Sequence, residues 1–390
     1  MSRKSLKDLV TDFKVLNTYA NIYFAIYEFA LGLYVIYLGG TALDVGFAYA
    51  IYNASWAAFI PLSSKFVTNW RVRASIYVGF VLLATSLITF SFFDIPYIYI
   101  SVFLLGFSSS IISTSMLYLV SAKGGFMDAG IFGDLMFYGI IGSGLGAFVG
   151  FLMFLYGQIT GRYLESLRLT FLSFGIISIL AIINARVAEL PVAHEGTFHR
   201  AERQHFRMPY YLILFSTSLL GIGQGIVYPM IVPFVVSRYR ATPLEVMLVY
   251  VPAGLAWFFT SRIAGRVINS LYGRKRMAFI TLTSALIAFI LPFTPNIIVL
   301  SLLWGVEGAG LALWTVYMQH MISKELPSSG WGFGFGSLNG VYYTSYAAGS
   351  IMGSSVYFFK NPALSFWSGA LIFLLIPLPV LALTHFRERL

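Results

Sequence analysis

The sequence predicts an all-α integral membrane protein with twelve transmembrane helices, built as two homologous six-helix bundles. Composition is the first ground: of 390 residues, 58% are hydrophobic, 17% aromatic and only 10% charged, and the mean hydropathy is +0.80. So little polar surface cannot coat a soluble globule of this length. Second, apolar runs approaching the roughly 20 residues that cross a hydrocarbon core recur along the whole chain. Third, a polar loop near the middle separates two halves that repeat one another's motifs.

Twelve spans are expected, at residues 15–38, 45–62, 74–92, 96–121, 130–156, 167–186, 209–236, 243–263, 277–293, 297–320, 335–358 and 364–384. The opening MSRKSLKDLVTDFK is basic, but the apolar run after it is longer than a signal-peptide core and leads straight into span 2, so it is expected to be retained. No cysteine occurs, which excludes disulfides and thiolate chemistry. The bundles are expected at residues 1–186 and 208–390, joined by a cytoplasmic loop at 187–207.

Orientation follows from the basic residues, because loops rich in Lys and Arg resist translocation. With the N-terminus in the cytoplasm, only Arg162, Arg168, Arg238, Arg240 and Lys360 of the 25 basic residues lie outside. The other 20 lie inside, among them Arg71, Arg73 and the cluster in GRVINSLYGRKR at 265–276. Both termini are therefore expected to face the cytoplasm, with the protein in the cell membrane. The net charge of +10 needs no nucleic-acid partner.

The two halves align at nearly constant spacing. TALDVGFAYAIYNASW (41–56) lies over TPLEVMLVYVPAGLAW (242–257) at offset 201, with Thr41/Thr242, Leu43/Leu244, Val45/Val246, Tyr49/Tyr250 and Trp56/Trp257 identical and Asp44 facing Glu245. FGDL at 132–135 matches FGSL at 335–338, and GAFVG at 146–150 matches GSIMG at 349–353, both at offset 203.

Two homologous six-helix halves joined by a cytoplasmic loop resemble the major facilitator superfamily of secondary transporters over essentially the whole chain. GRVINSLYGRKR is similar to the family's loop signature between helices 8 and 9: Gly265, Gly273, Arg274, Lys275 and Arg276 fit, while Asn269 replaces the acid. SLRLTF (166–171) resembles the Trp-Arg-x-x-Phe opening of helix 6, with Leu167 for the Trp, and KELPSSGWGFGFGSLNG (324–340) the connection between helices 10 and 11. The first half departs more. LSSKFVTNWRVR (62–73) keeps Arg71 and Arg73 without the Gly and Asp of the signature, and span 4 lacks the intramembrane Arg of proton-coupled drug exporters. GSGLGAFVGF resembles the glycine element of antiporters, with Ala147 in place of its Pro and Phe151 of its last Gly. The resemblance implies alternating access about a central site near the bilayer midplane. It also implies a clamping role for the 265–276 cluster and for Arg71 and Arg73, beside the topological role their charge already has.

Polar residues inside spans are where a transport site is best sought, since each is expensive to insert, about 2.5–3.5 kcal/mol for an acid or base at the helix centre. Three acids qualify: Glu28, Asp134 and Glu307. Asn17, Asn21 and Glu28 fall within about 40° on a helical wheel and make one polar stripe on span 1, lining a cavity or cross-linking helices. Glu307 shares a face with Leu311 and Trp314, between glycines that permit close helix approach. A carboxyl group there suits loading and release of a proton, or it is simply a packed neutral group. Asp134 sits near the cytoplasmic end of span 5 and reads as a gate or capping residue. In span 7, Thr217, Gln224 and Tyr228 share a face, followed by Pro229 and Pro233, which are expected to kink the outer end. Ser108, Ser109, Ser110 and Ser113 of span 4 read as packing residues.

A carboxylate beside aromatics such as Tyr23, Tyr27 and Trp314 suits an organic cation or amphipathic solute. An anion would want a buried base, and none lies deep in a span. His194, His199 and His205 lack metal-ligand spacing, and GFGFGSLNG follows no strand, so neither a metal site nor a nucleotide site is expected. No nucleophile with its base is present, and no enzyme activity or cofactor is expected. The expectation is a monomeric transporter moving a small neutral or cationic organic solute, proton-coupled, outward in preference to inward. The alternatives are a uniporter or symporter of a neutral metabolite that uses no protons, and a transporter-like receptor that no longer cycles.

Overall fold

The computed structural model describes residues 6–69, 72–124, 129–187, 208–268, 273–326 and 331–387. The described elements are helices throughout. In order they are α1 (Leu6–Asn21), α2 (Phe24–Tyr37), α3 (Ala42–Asn69), α4 (Val72–Phe90), α5 (Ile98–Gly124), α6 (Ala129–Thr160) and α7 (Tyr163–Val187). After the central loop come α8 (Met208–Tyr239), α9 (Pro243–Ile268), α10 (Gly273–Ile290), α11 (Ile297–Glu325), α12 (Trp331–Phe359), α13 (Pro362–Leu375) and α14 (Pro377–Arg387), with a 3-10 turn at Leu291–Phe293.

Among the described residues, nine helical stretches are long and apolar enough to cross a membrane, and the chain is a multi-pass membrane protein. Three of the twelve expected spans fall outside that set, each for a physical reason. Span 9 is the short apolar run Met277–Phe293. Span 11 is α12, whose sequence is dominated by glycine, serine and tyrosine and trades hydrophobicity for close packing. Span 1 is broken.

The continuous helix expected over 15–38 is thus corrected to two helices, with the break at Ile22 and Tyr23. Asn21 explains it. Its side-chain Nδ2 donates to the Asn17 carbonyl at 2.8 Å, the carbonyl its own backbone N–H would use in a helix. The Ile22 N–H then falls back to Tyr19 O at 3.3 Å, a 3-10-type bond. Ser143 on α6 donates to the carbonyl freed at Asn21, at 3.2 Å. Gly142 and Gly146 bring α6 so close to the Thr18 and Ile22 carbonyls that neither position has room for a Cβ.

The chain divides into two compact units, one of residues 1–39 and 54–198, the other of 40–53 and 199–390. In the first, α1 lies on α6, and α4 lies between α5 and α7. The SLRLTF segment anchors the start of α7: Phe171 stacks on Phe90 at 4.8 Å, Arg168 pairs with Asp94 at 2.7 Å, and Ser91 donates to the Arg168 carbonyl. In the second unit α8 packs along α12, α9 along α11, and α10 against α13. Residues 40–53 belong to this unit, where Gly46 lies against Ser350 and Ser354 with no space for a side chain.

The internal repeat is built from two local devices. At the start of α3, Thr41 N–H and Oγ1 both donate to Asp44 Oδ2 at 2.7 Å, and Asp44 N–H donates back to Thr41 Oγ1. At the start of α9, Thr242 and Glu245 repeat the arrangement at 2.8 and 3.0 Å. Each is a reciprocal cap that satisfies orphan donors of a first helical turn. The second device is a glycine seam. Gly146 presses on the Ile22 carbonyl across α6 and α1, and Gly349 presses on the Ile222 carbonyl across α12 and α8.

The seam predicts a contrast on one helix. Gly146→Ala places a methyl group on the Ile22 backbone and is expected to destabilise by about 1–3 kcal/mol. Gly144→Ala, where nothing lies within 4 Å, removes backbone freedom and is expected to be neutral or stabilising by up to roughly 1 kcal/mol. Thermal unfolding in detergent reads both, and equal shifts would reject the seam.

Candidate functional site

Glu307 is the only charged side chain among the described residues that is buried, at 4% exposure. Two glycines on its own helix set its surroundings: Gly305 lies on Pro252 and Gly308 on the Ala253 backbone, drawing α11 onto α9. Burial at that contact has to be compensated by hydrogen bonds.

Tyr228 of α8 provides the first, its hydroxyl donating to Glu307 Oε1 at 3.0 Å. Gln224, one turn earlier and 1% exposed, donates from Nε2 to the Tyr228 hydroxyl oxygen at 3.3 Å. Tyr342 of α12 in turn donates to Gln224 Oε1 at 2.5 Å. The result is a chain of three bonds from Tyr342 through Gln224 and Tyr228 to Glu307, tying α12, α8 and α11 together, with every donor pointing toward the carboxyl group. Gln224 is buried, while the two tyrosines at either side of it are half-buried.

Aromatic rings enclose the acidic end. Trp304, one turn before Glu307 and 3% exposed, meets the Tyr228 ring edge-on at 4.6 Å, and Tyr250 of α9 meets Trp304 at 5.9 Å. Ser284 of α10 is a polar neighbour of the same carboxyl group, and among the described residues Glu307 Oε2 closes no hydrogen bond. The site therefore offers a buried carboxyl group with one oxygen engaged and one unengaged, which can hold a proton or accept from a donor.

Of the residues predicted from sequence, Glu307, Gln224 and Tyr228 come together here. Thr217 is buried on α8, but its hydroxyl donates to Ile213 O at 2.9 Å within the helix, and it does not join the chain. Trp314 is 2% exposed, packs on Tyr317 at 6.0 Å and leaves its indole N–H without an acceptor. It lies two turns from Glu307, about 10.5 Å along the helix axis. Tyr342, Trp304, Tyr250 and Ser284 were not predicted. Trp304 had a sequence signal, its i−3 spacing from Glu307; the others come from separate helices.

The polar stripe expected on span 1 is interrupted by the break in that helix. Asn17 and Asn21 stay on α1, linked by Asn21 Nδ2 to Asn17 Oδ1 at 3.3 Å, while Glu28 lies on α2 with an exposed side chain. Tyr23, at the break, shares a 2.5 Å hydrogen bond with Ser109. Of the gating candidates, Arg73 is exposed on α4. Arg71 and Asn269 lie outside the described residues, as do the side chains of Asp134 and of Arg274, Lys275 and Arg276. Gly265 falls within α9, and Gly273 begins α10. The three loop histidines at 194, 199 and 205 also lie outside the described residues.

No protein-family model and no curated protein sequence matches the chain. Its likeness is to solved structures. A point mutant of the nucleoside transporter NupG superposes with TM-score 0.77 at 14% identity, covering 96% of this chain and 99% of that one. NupG without the substitution gives TM-score 0.72 at 14% identity, covering 97% and 99%. The human organic anion transporter MFSD10 (TETRAN) gives TM-score 0.66 at 13% identity, covering 95% and 98%.

The chain of bonds predicts energetic coupling. Tyr228→Phe removes the Tyr228 hydrogen bond to Glu307 and is expected to destabilise by about 1–3 kcal/mol. In a Glu307→Leu background the same change is expected to have a much smaller effect, giving an interaction energy of about 0.5–3 kcal/mol in a double-mutant cycle. Additive effects would exclude the link.

Proposed function

We propose, from the major facilitator superfamily fold that the chain carries, that it is a secondary transporter moving a small neutral or cationic organic solute by alternating access, with Glu307 as the proton-coupling group. The observation that carries this reading is the one buried carboxyl group among the described residues, whose second oxygen closes no hydrogen bond. An acid held in hydrocarbon without a basic partner is stabilised most simply by taking a proton, and a group that exchanges a proton as its surroundings change is what coupling requires.

The solute class rests on the same site. Among the described residues no Lys or Arg is buried, so an anion would find no fixed countercharge. A neutral solute with donors, or a cation, is met instead by hydroxyl and amide groups and by aromatic faces. NupG is a transporter of nucleosides, which are small neutral organic solutes and accord with this class. MFSD10 is a transporter of organic anions, a class that a site without a buried base does not favour. Glu28, exposed on α2, is the second coupling candidate. We place both termini in the cytoplasm and the protein in the cell membrane as a monomer, on the distribution of basic residues. Outward transport is the preferred direction.

Reconstitution in proteoliposomes with a pH dye inside tests the reading against a solute panel. Some solute is expected to move protons with the wild type, and Glu307→Gln is expected to reduce that flux to the leak of protein-free vesicles. Glu28→Gln separates the two carboxyl groups. Solute movement without protons in the wild type, and unchanged in both variants, would replace the coupled reading with a facilitator.

A further inference from the structure

The first unit carries a cavity of its own, of about 640 Å³, open to the surface at the turn between α6 and α7. The sequence around it fixes its depth. Tyr138–Thr160 and Tyr163–Asn184 are consecutive stretches long and apolar enough to cross a membrane, and only Gly161 and Arg162 separate them, so the turn stays close to the edge of the hydrocarbon. It can be that short because Gly161 takes φ +72°, a left-handed backbone that a side chain would strain, and because the Arg162 N–H donates to Thr160 Oγ1 at 3.4 Å. Tyr37, the last residue of α2, forms another wall, its ring 5.8 Å from that of Tyr163.

Two arginines and one acid line the cavity. Arg168, in the second turn of α7, is held in place: its Nη2 bonds to Asp94 Oδ1 at 2.7 Å, and Tyr34 of α2 lies beside it. Arg162 is held more loosely. Its Nη1 reaches Glu165 Oε2 at 3.3 Å, and the two side chains are 65% and 47% exposed, so the pair contributes at most about 1 kcal/mol and can exchange partners. A guanidinium presents five N–H donors in a planar fork that matches the oxygens of a phosphate.

We propose that this cavity holds the headgroup of a phospholipid, with its phosphate diester on Arg162 and Arg168 and an acyl chain along α6. The assignment is independent of how Glu307 works. Charge supports it first: among the lining residues two cations stand against one acid, an excess of one positive charge that the single negative charge of a diester matches. Asp94, outside the lining, serves to fix Arg168. Depth supports it next, because cations and tyrosines at the end of a span meet the membrane at the level of the headgroups. The surface of α6 decides between a lipid and a soluble anion. Leu145, Phe148, Leu152, Tyr156 and Ile159 are between 36% and 76% exposed and fall within about 80° of one another, forming one apolar stripe that ends two residues before Gly161. At 1.5 Å per residue the stripe is about 21 Å long, which covers one leaflet's half of a hydrocarbon core about 30 Å thick. A soluble anion would use the arginines alone, whereas a phospholipid uses both features.

Thermal unfolding of the purified full-length protein in a non-ionic detergent, titrated with phosphatidylglycerol, tests the site. The lipid is expected to raise the unfolding temperature saturably. Arg162→Gln is expected to weaken the apparent affinity about tenfold, the loss of one charge-assisted hydrogen bond. Because Arg162 is exposed on a turn, this variant is expected to unfold at the wild-type temperature without lipid, which separates lost binding from lost folding. Lys360→Gln, which removes an exposed charge from the second unit, is expected to bind as the wild type does. Diacylglycerol, which has the chains without the phosphate, and inorganic phosphate, which has no chains, are each expected to leave the unfolding temperature unchanged. Stabilisation by diacylglycerol equal to that by the phospholipid, or equal affinities for wild type and Arg162→Gln, reduces the cavity to ordinary lipid-facing surface and overturns the proposal. Equal weakening by Lys360→Gln overturns it as an effect of net charge, and equal stabilisation by inorganic phosphate overturns it in favour of a soluble anion. The absence of any saturable shift with phosphatidylglycerol overturns it outright.

Discussion

Hydrocarbon offers no hydrogen bonds, so each polar group that a membrane helix carries has to be met by another group of the same protein. Much of this structure follows from that constraint. Asn21 bonds a backbone carbonyl beside the point where the first span breaks. Ser143 and the α6 glycines then close on the freed backbone, so that a defect in one helix becomes a contact between two. Glu307 imposes the same demand more strongly. Its carboxyl group is met by a tyrosine, which is met by a glutamine, which is met by another tyrosine on a third helix. The chain of bonds that holds α8, α11 and α12 in register is thus the consequence of placing one acid where water is scarce.

The two halves meet this constraint with shared parts. Reciprocal Thr–acid caps open α3 and α9, and glycine-to-carbonyl contacts join α1 to α6 and α8 to α12. What differs is the first helix and the buried acid. In the first unit the first span is broken, and Thr18 bonds to Tyr138 O and Tyr34 to Phe90 O. In the second unit α8 stays intact through Pro229 and Pro233, and its Gln224 and Tyr228 lead to Glu307. The two halves share these local devices, and among the described residues the buried acid and its network lie in the second.

A fold of this kind was largely legible in advance because its main determinants are local. Apolar run length and the spacing of Thr41/Asp44 against Thr242/Glu245 can each be read without knowing what any helix touches. The α8 part of the site was legible for the same reason: Gln224 and Tyr228 are four residues apart and had to share a face. Thr217 satisfied the same spacing and yet bonds to its own backbone, because periodicity fixes the face of a helix and not the partner of a hydroxyl.

The sequence by itself determined that this chain crosses a membrane many times, that it repeats itself, and that Glu307 is an acid in an apolar setting. These follow from composition and short-range spacing, which act before any helix meets another. Only the tertiary structure decided that span 1 is two helices and that Glu307 is held by Tyr228. It alone brought in Tyr342, 118 residues from Gln224. The physical reason is that a hydrogen bond between helices depends on their rotation and depth against each other, set by where glycines let backbones touch, and no residue announces its partner along the chain.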